Sequence, residues 1–188
     1  MADIDEKITV MNYCSHCGTK VILRVPAGDN RERHTCDQCD TIHYRNPCII
    51  TGTLPIYKDQ VLLCKRAIEP RYGLWTLPAG FMENGESTEG GAIRETLEEA
   101  QARVRVDDLY TMFDLPEINQ VYFFYRAQLV DLSFCAGTES LEVALFDEAN
   151  IPWSELAFPV VTRTLKHFFN DRKNQKYPLH REVLNKTI

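Results

Sequence analysis

The chain has 188 residues and a formal net charge of −6, with 44% hydrophobic and 26% charged residues. This composition is typical of a globular protein with one good core and excludes a disordered chain. The negative charge disfavours nonspecific binding of nucleic acid. No apolar run reaches the length of a membrane span, and MADIDEKITV lacks the basic start and apolar stretch of a signal peptide. We therefore expect a cytoplasmic protein with no membrane partner.

The first segment contains two pairs of cysteines. Cys14 and Cys17 form one CxxC pair, Cys36 and Cys39 form the second, and 18 residues separate them. Zinc prefers four soft ligands in a tetrahedron, and each CxxC turn offers two thiolates to one ion. A redox function is the alternative, which two matched pairs disfavour. The intervening residues indicate strand, turn and strand, so residues 1–46 are predicted to form a zinc ribbon, in which the ion replaces a large core.

From residue 47 the pattern indicates strands around one central helix. CIITGTLPIY and QVLLCKRA are β-rich runs joined at Lys58-Asp59, as in a hairpin. GLWTLPAG is a short strand that leads into a glycine-containing loop, and RVRVDDLYTMFDL, QVYFFYRAQLV and EVALFD are further β-rich segments. WSELA after Pro152 and FPVVTRTLKHFFNDR predict helical structure near the end. Residues 47–188 are therefore predicted to form an α/β or α+β sandwich.

The central helix is predicted over about residues 87–101, within GFMENGESTEGGAIRETLEEA. Ser87 or Thr88 is suited to cap its N-terminus, because a hydroxyl accepts a hydrogen bond from the first free N–H groups. At about 100° per residue, three apolar side chains fall on one side, which is expected to face the core. They are those of Ile93, Leu97 and Ala100.

Glutamates occupy nearly the opposite side of this helix. Glu95 and Glu99 are one turn apart, with Glu98 beside them. Like charges at such spacing destabilise a bare helix, so a cation is expected among them. Carboxylate oxygens match hard cations such as Mg²⁺ or Mn²⁺. An ordinary solvated acidic surface is the alternative.

The whole array of spacings resembles a known signature. It consists of Gly80, five residues, Glu86, seven residues and then Arg94-Glu95-x2-Glu98-Glu99. This is similar to the Nudix box of hydrolases that act on nucleoside diphosphates linked to another moiety. Two positions depart from the family pattern: Thr96 replaces an aliphatic residue, and Gln101 replaces a glycine that would end the helix in a left-handed conformation. Gln101 is expected to cost some stability or to let the helix continue.

The resemblance implies a metal-dependent mechanism and a Nudix-type α/β/α sandwich with a mixed sheet. Divalent ions neutralise a diphosphate and lower the pKa of the attacking water. In Nudix enzymes the last glutamates of the box bind these ions together with a loop carbonyl, here that of Gly80 or its neighbour. Arg94 and Glu86 are expected to form a supporting pair between loop and helix. The implied catalytic ligands of Mg²⁺ or Mn²⁺ are Glu95, Glu98 and Glu99.

A further acidic residue is expected from outside the box. GTESLEVALF places Glu139 and Glu142 just before a strand, where the family often carries an acidic metal ligand or base. Glu139 is favoured because it falls in the loop. The alternative is that both are ordinary surface charges.

The zinc ribbon ahead of the box is similar to that of two Nudix groups. The NADH pyrophosphatases carry an SQPWPFPxS run after the box, which DDLYTMFDLPEINQVYF lacks. Five stretches spread over most of the chain resemble the group of the plant plastid FAD pyrophosphatase, namely NPCIITG, LLCKR, GLWTLPAGFMENGES, ESLEVALF and ELAF. This resemblance implies hydrolysis of FAD or ADP-ribose, or of a related dinucleotide or nucleotide sugar. An NADH pyrophosphatase-like enzyme and a non-catalytic nucleotide-sensing regulator are the alternatives; the complete glutamate set disfavours the regulator.

The remaining expectations concern substrate contacts and assembly. Trp75, Phe81 and Tyr122 could stack on an adenine or flavin, although aromatic side chains at such positions commonly belong to a core. Arg66 could bind a phosphate; the alternative is that it is an ordinary basic residue at the end of a strand. The nearly neutral ribbon suits a structural brace or a dimer arm better than a nucleic-acid reader. The resemblance implies a homodimer, because ribbon-bearing Nudix relatives usually pair, and we expect no nucleic-acid partner.

Overall fold

The structure, a computed structural model, describes residues 11–185. The first ten residues of the predicted ribbon and residues 186–188 lie outside the described residues. The chain divides into two compact units, Met1–Pro47 and Cys48–Ile188. Each has its own core and is described by itself.

The first unit is a three-stranded antiparallel sheet in the order β1-β2-β3. The strands are β1 (Ile22–Arg24), β2 (Arg33–Thr35) and β3 (Ile42–His43). The predicted strand, turn and strand are confirmed, and β3 is an addition to them. The buried apolar cluster consists of Cys14, Val21 and Cys36. Because two of its three members are cysteines, this core is too small to stabilise the unit without further help.

The second unit is built on a mixed eight-stranded sheet. Its main order is β10-β5-β4-β9-β8-β11, with β6 paired to β5 and β7 paired to β4. The pairs β4–β9 and β8–β11 are parallel, and the other pairs are antiparallel. The strands are β4 (Cys48–Tyr57), β5 (Gln60–Arg66), β6 (Trp75–Thr76), β7 (Ala79–Phe81), β8 (Val104–Leu115), β9 (Gln120–Leu129), β10 (Ser140–Phe146) and β11 (His180–Val183).

The helices α1 (Thr88–Ala100) and α2 (Pro159–Arg172) pack on opposite faces of this sheet. Successive side chains of a strand point to opposite faces. On β5, Leu62 packs in a cluster with Ala100 of α1, whereas Leu63 packs in a cluster with Leu165 of α2. The predicted sandwich with a mixed sheet is therefore confirmed. No helix within residues 11–185 is long and apolar enough to cross a bilayer.

Several predicted elements are confirmed and others are corrected. The hairpin at Lys58-Asp59 joins β4 to β5 by a two-residue turn, with Tyr57 opposite Gln60 and Lys58 at a φ of 55°. Helical structure after Pro152 is limited to one 3₁₀ turn, Trp153–Glu155, before α2 starts. The strand β11 was not predicted, because its four residues show no apolar alternation.

The predicted core side of α1 is wrong for two of its three residues. Ile93 is 37% exposed and Leu97 is 50% exposed, whereas Ala100 is buried. The buried side instead carries small or polar residues, because the helix lies very close to β4. A Cβ atom added at Gly91 would lie 2.7 Å from the Thr51 side chain. The buried residues of α1 are Gly91, Ala92, Thr96, Glu99 and Ala100.

The two departures from the family pattern have visible consequences. The Thr96 hydroxyl lies 2.6 Å from that of Thr53 on β4 and donates to the Ala92 carbonyl at 2.7 Å, so its burial leaves no polar atom unpaired. The helix does not continue past Gln101. This residue is left-handed, with φ 48° and ψ 25°, and its N–H donates to the Leu97 carbonyl. At the other end, Ser87 caps the helix by accepting from the N–H of Gly90 at 3.0 Å.

Candidate functional site

The four paired cysteines meet in the first unit. Their sulfur atoms all lie within 4.8 Å of one another, and within residues 11–185 no other group brings three or more metal-binding atoms so close. Cys14 Sγ is 3.7 Å from Cys39 Sγ, and Cys17 Sγ is 3.4 Å from Cys36 Sγ. Each short distance therefore joins one cysteine of the first CxxC pair to one of the second, as a single tetrahedral ion requires.

The surroundings of these thiols differ. Hydrogen bonds from the side chain and backbone of Thr19 lower the pKa of Cys17 to about 6. Burial raises the pKa of Cys36 to about 11. A thiolate is the form that binds zinc, so the ion must bring enough binding energy to remove the proton of Cys36. The group is suited to a structural ion, since Cys14 and Cys36 are also core residues of the unit.

In the second unit Arg94 ties the loop before α1 to the helix. Its guanidinium donates to both Glu86 carboxylate oxygens, at 3.1 and 2.7 Å, and to the Phe81 carbonyl at 3.2 Å. The same group donates to Glu95 at 2.6 Å and to Glu98 at 3.1 Å. The Arg94 hydrogen bonds, with one from the N–H of Glu83, lower the pKa of Glu86 to about 2. The structure thus forms the expected pair between Glu86 and Arg94.

Glu99 is the most buried of the box glutamates. Only 6% of it is exposed. Burial, followed by the charge of Glu95, raises its pKa to about 8. The N–H of Ala79, on β7, donates to one Glu99 oxygen at 3.3 Å and partly offsets this effect. The expectation that all three glutamates lie away from the core is therefore wrong for Glu99, which projects inward between α1 and β7.

Glu95 and Glu98 are less buried than Glu99, and Glu98 is the most exposed of the three. Burial raises the pKa of Glu95, although Arg94 opposes the shift. The side chain of Glu98 is 58% exposed. A Cβ atom added at Gly80 would lie 2.4 Å from the Glu95 carboxyl carbon. A side chain at this position of β7 would therefore displace the Glu95 carboxylate from its place beside the strand.

The structure distinguishes the two acidic residues outside the box. Glu139 is exposed in the loop before β10, and its charge raises the pKa of both Glu95 and Glu99. It therefore lies within electrostatic reach of the box. Glu142 is an exposed residue of β10, opposite Lys65 of β5.

Comparison with known protein families covers both units. The family described as Nudix N-terminal, a zinc ribbon, matches residues 12–45. The NUDIX domain matches residues 49–164. The chain belongs to the Nudix family. A NUDIX hydrolase from Nitrosomonas europaea, known from a crystal structure, is 52% identical with a TM-score of 0.91, and the match covers 94% of this chain and 100% of that one.

Curated relatives of this Nudix chain carry two functional names. The NAD-capped RNA hydrolase NudC of Vibrio parahaemolyticus is 32% identical over 97 residues, 50% of this chain and 35% of the relative. NudC of Edwardsiella ictaluri is 34% identical over 134 residues, 70% of this chain and 49% of the relative. An ADP-ribose pyrophosphatase of Methanocaldococcus jannaschii is 28% identical over 119 residues, 61% of this chain and 69% of the relative. The chain spans half or less of the length of these NudC relatives.

Nudix hydrolases need Mg²⁺ or Mn²⁺, and the site of this Nudix chain fits such an ion. The donors around Glu99 are carboxylate oxygens, the ligands that hard divalent cations prefer. Glu99 is a buried carboxylate, and burial raises its pKa more than the charge of Arg66 and the N–H of Ala79 lower it. The four-cysteine group likewise fits a structural zinc ion.

The four predicted substrate contacts of the Nudix unit have different surroundings. Trp75 is 6% exposed and packs edge-on against Phe146, so it belongs to the core and is not available for stacking. Phe81 is 57% exposed. Burial raises the pKa of Tyr122, and the charge of Arg66 opposes that shift. Tyr122 therefore lies within electrostatic reach of Arg66.

Arg66 is in electrostatic reach of the box and lies beside an aromatic residue that the sequence did not indicate. Its charge also lowers the pKa of Glu99. Its Nε donates to the Pro70 carbonyl at 2.8 Å, and its guanidinium lies 5.1 Å from the centre of the Phe158 ring. Phe158 was missed because it reads as the first residue of a helix, where it is the cap residue of α2. The structure thus brings a held cation close to the glutamates.

Proposed function

We propose that this Nudix hydrolase cleaves the diphosphate of an adenosine diphosphate linked to another moiety, with FAD and ADP-ribose as the first candidates. The observation that supports a hydrolytic site is Glu99, buried beside Glu95 and Gly80 with a pKa of about 8. The functions by which the relatives are named support the substrate class, because NAD and ADP-ribose both contain an adenosine diphosphate. FAD contains the same group, and its choice as a candidate substrate rests on the sequence resemblance.

The residues of the site have separable tasks in this proposal. Glu95, Glu98 and Glu99 would hold Mg²⁺ or Mn²⁺, with the backbone at Gly80 beside them. The bound ions supply charge neutralisation of the diphosphate and acidify the attacking water. Arg94 keeps Glu95 and the Phe81 carbonyl in place through its hydrogen bonds. Such supporting contacts orient ligands before an ion binds.

Two residues outside the box complete the proposed site. Glu139 accepts the proton of the attacking water, since its exposed carboxylate lies outside the box and within electrostatic reach of Glu95 and Glu99. Arg66 binds a phosphate oxygen of the substrate. Its guanidinium is already held at Pro70 and Phe158, so binding costs less side-chain entropy than for a mobile arginine. Phe81 and Tyr122 are the candidates for stacking on the base.

NAD-type substrates form the second candidate class, because several curated relatives are NAD-capped RNA hydrolases. A panel with FAD, ADP-ribose, NADH, NAD-capped RNA and nucleotide sugars, with Mg²⁺ or Mn²⁺, separates the candidates. We expect FAD or ADP-ribose to give the highest kcat/KM, with AMP and the monophosphate of the second moiety identified by mass (FMN from FAD, ribose 5-phosphate from ADP-ribose). A preference for NADH or capped RNA would replace our first choice. Nucleotide binding without turnover of any compound would support the regulator alternative.

We also propose that the enzyme is a homodimer, because Nudix relatives with a ribbon commonly pair. Light scattering at micromolar concentration should give about twice the chain mass of 21.7 kDa. A mass equal to one chain at this concentration would contradict the proposal.

A further inference from the structure

The loop that carries Glu139 is bound to the C-terminal end of α1 through its backbone. The N–H of Cys135 donates to the Ala100 carbonyl at 3.0 Å, and the N–H of Gly137 donates to the Glu99 carbonyl at 2.9 Å. The last carbonyls of a helix have no partner within the helix, so these bonds satisfy groups that would otherwise need water or a side chain. The second bond involves the backbone of Glu99 itself.

The approach at Gly137 is too close for any other residue. A Cβ atom added there would lie 1.8 Å from the Glu98 carbonyl oxygen and 2.9 Å from its carbon. The φ angle of Gly137 is outside the left-handed region, so this position requires space and not an unusual backbone conformation. The neighbouring atoms belong to a helix backbone, which cannot move aside by changing a rotamer.

The other end of the same loop is bound to the sheet. The Glu139 carbonyl accepts from the N–H of Ala67 at 2.8 Å, and the N–H of Ser140 donates to the Gly137 carbonyl at 3.2 Å. Ser140 lies opposite Arg66 in the pairing of β10 with β5. Glu139 is thus two residues from the contact with the helix and itself makes the contact with Ala67 at the end of β5. Its backbone is fixed from both sides.

We propose that Gly137 is a positioning residue, whose close contact with the end of α1 sets the distance between Glu139 and the box glutamates. The inference rests on the proposed role of Glu139 in hydrolysis. A larger residue at 137 would push the loop away from α1. Glu139 would then lose its alignment with the site while Glu95, Glu98 and Glu99 stay on their helix.

A double-mutant cycle tests this proposal, with kcat measured for Glu139→Gln, Gly137→Ala and the combination. We expect Glu139→Gln to lower kcat about 10²-fold or more, as for a general base. Gly137→Ala should give a comparable loss, and adding Glu139→Gln to it should change kcat by less than about threefold, because the two changes remove one contribution. Gly90→Ala is the matched control. A Cβ there meets only the Ser87 hydroxyl, at 3.1 Å, and kcat should stay within about twofold.

The outcomes separate the two hypotheses. If Glu139→Gln alone has full activity, the proposed role of Glu139 is wrong. If Glu139→Gln lowers kcat by the same factor in the parent chain and in the Gly137→Ala chain, Gly137 is a structural residue only and the inference is wrong. Circular dichroism establishes whether Gly137→Ala folds.

A second variant covers the case in which Gly137→Ala does not fold. One glycine inserted after Thr138 is expected to keep both hydrogen bonds to α1, while it lengthens the link from Gly137 to Glu139 and opens the turn that Ser140 closes on the Gly137 carbonyl. It should show the same loss of kcat, and Glu139→Gln should again add little. An insertion variant with parental kcat would overturn the inference.

Discussion

Glu99 is a carboxyl group whose ionised form is disfavoured by its own surroundings. Burial and the neighbouring charge of Glu95 raise its pKa to about 8, and the pKa of Glu95 is raised as well. A divalent cation removes this disadvantage, because it compensates both charges at once. Metal binding should therefore release a proton from the site below about pH 8. A solvated acidic surface has no such property, which is why the burial of Glu99 is more informative than the number of glutamates.

The raised pKa predicts how stability depends on pH without added Mg²⁺ or Mn²⁺. The folded chain holds the Glu99 proton more tightly than the unfolded chain, whose carboxyl has the ordinary pKa of 4.5. This contribution to stability is complete below about pH 4.5 and is lost as pH rises through about 8. The free energy of unfolding, measured with denaturant across this range, should fall more steeply for the parent than for Glu99→Gln. Parallel curves would contradict the assigned environment of Glu99.

The same variant tests the metal site through turnover. Glu99→Gln keeps the size of the side chain but removes the charge, so activity should fall by roughly two orders of magnitude or more, since bound metal contributes several kcal/mol and each 1.36 kcal/mol is tenfold in rate. Glu89→Gln is the control, because Glu89 is an exposed residue in the first turn of the same helix. Equal, small effects of the two variants at limiting Mg²⁺ would show that the glutamates are only a solvated surface.

Helices, turns and caps could be predicted from the sequence where the chemistry of neighbouring residues determines them. The hairpin at Lys58-Asp59, the Ser87 cap and the limits of α1 were predictable from residue types and spacing. The buried side of α1 was not, because periodicity assigns Ile93 and Leu97 to the core. The structure buries Thr96 and Glu99 instead, since Gly91 allows a close approach to β4 and Thr53 pairs the Thr96 hydroxyl. Such a contact depends on a partner strand that is 43 residues away in the chain.

The C-terminal end of α1 gives a prediction about stability. Gln101 is left-handed, a conformation that costs a residue with a Cβ atom about 1–2 kcal/mol. Gln101→Gly removes this cost, but glycine loses more conformational entropy on folding. The net effect should be a stabilisation of the second unit by roughly 0.5–1 kcal/mol. Gln101→Ala is the matched control and should not stabilise, because it retains the Cβ. Denaturant unfolding followed by circular dichroism measures both, and a loss of stability in the glycine variant would contradict the assigned backbone conformation.

The two units depend on different sources of stability. The second unit has an extensive apolar core on the α2 side of its sheet, which includes Leu54, Phe113, Phe124 and Phe168. The first unit has only the cluster of Cys14, Val21 and Cys36. The paired cysteines and the box were sufficient to recognise both units from sequence, because metal ligands and catalytic groups require fixed spacings. The strand β11 and the position of Phe158 were not, since they follow from packing against distant strands.

This difference predicts that zinc removal affects the two units unequally. Metal analysis under reducing conditions should give about one zinc per chain, and Cys36→Ser should lose it, because zinc binding supplies roughly 10–16 kcal/mol to such a module. Limited proteolysis of Cys36→Ser, or of the parent after zinc chelation, should then cut within residues 11–47 and leave residues 48–185 resistant. Cys135→Ser is the control, since Cys135 is an exposed free cysteine of the second unit and should keep both zinc and resistance. If the zinc-free parent chain resists cleavage throughout, the first unit folds without the ion. If both units are cleaved together, the stability of the second unit depends on that of the first.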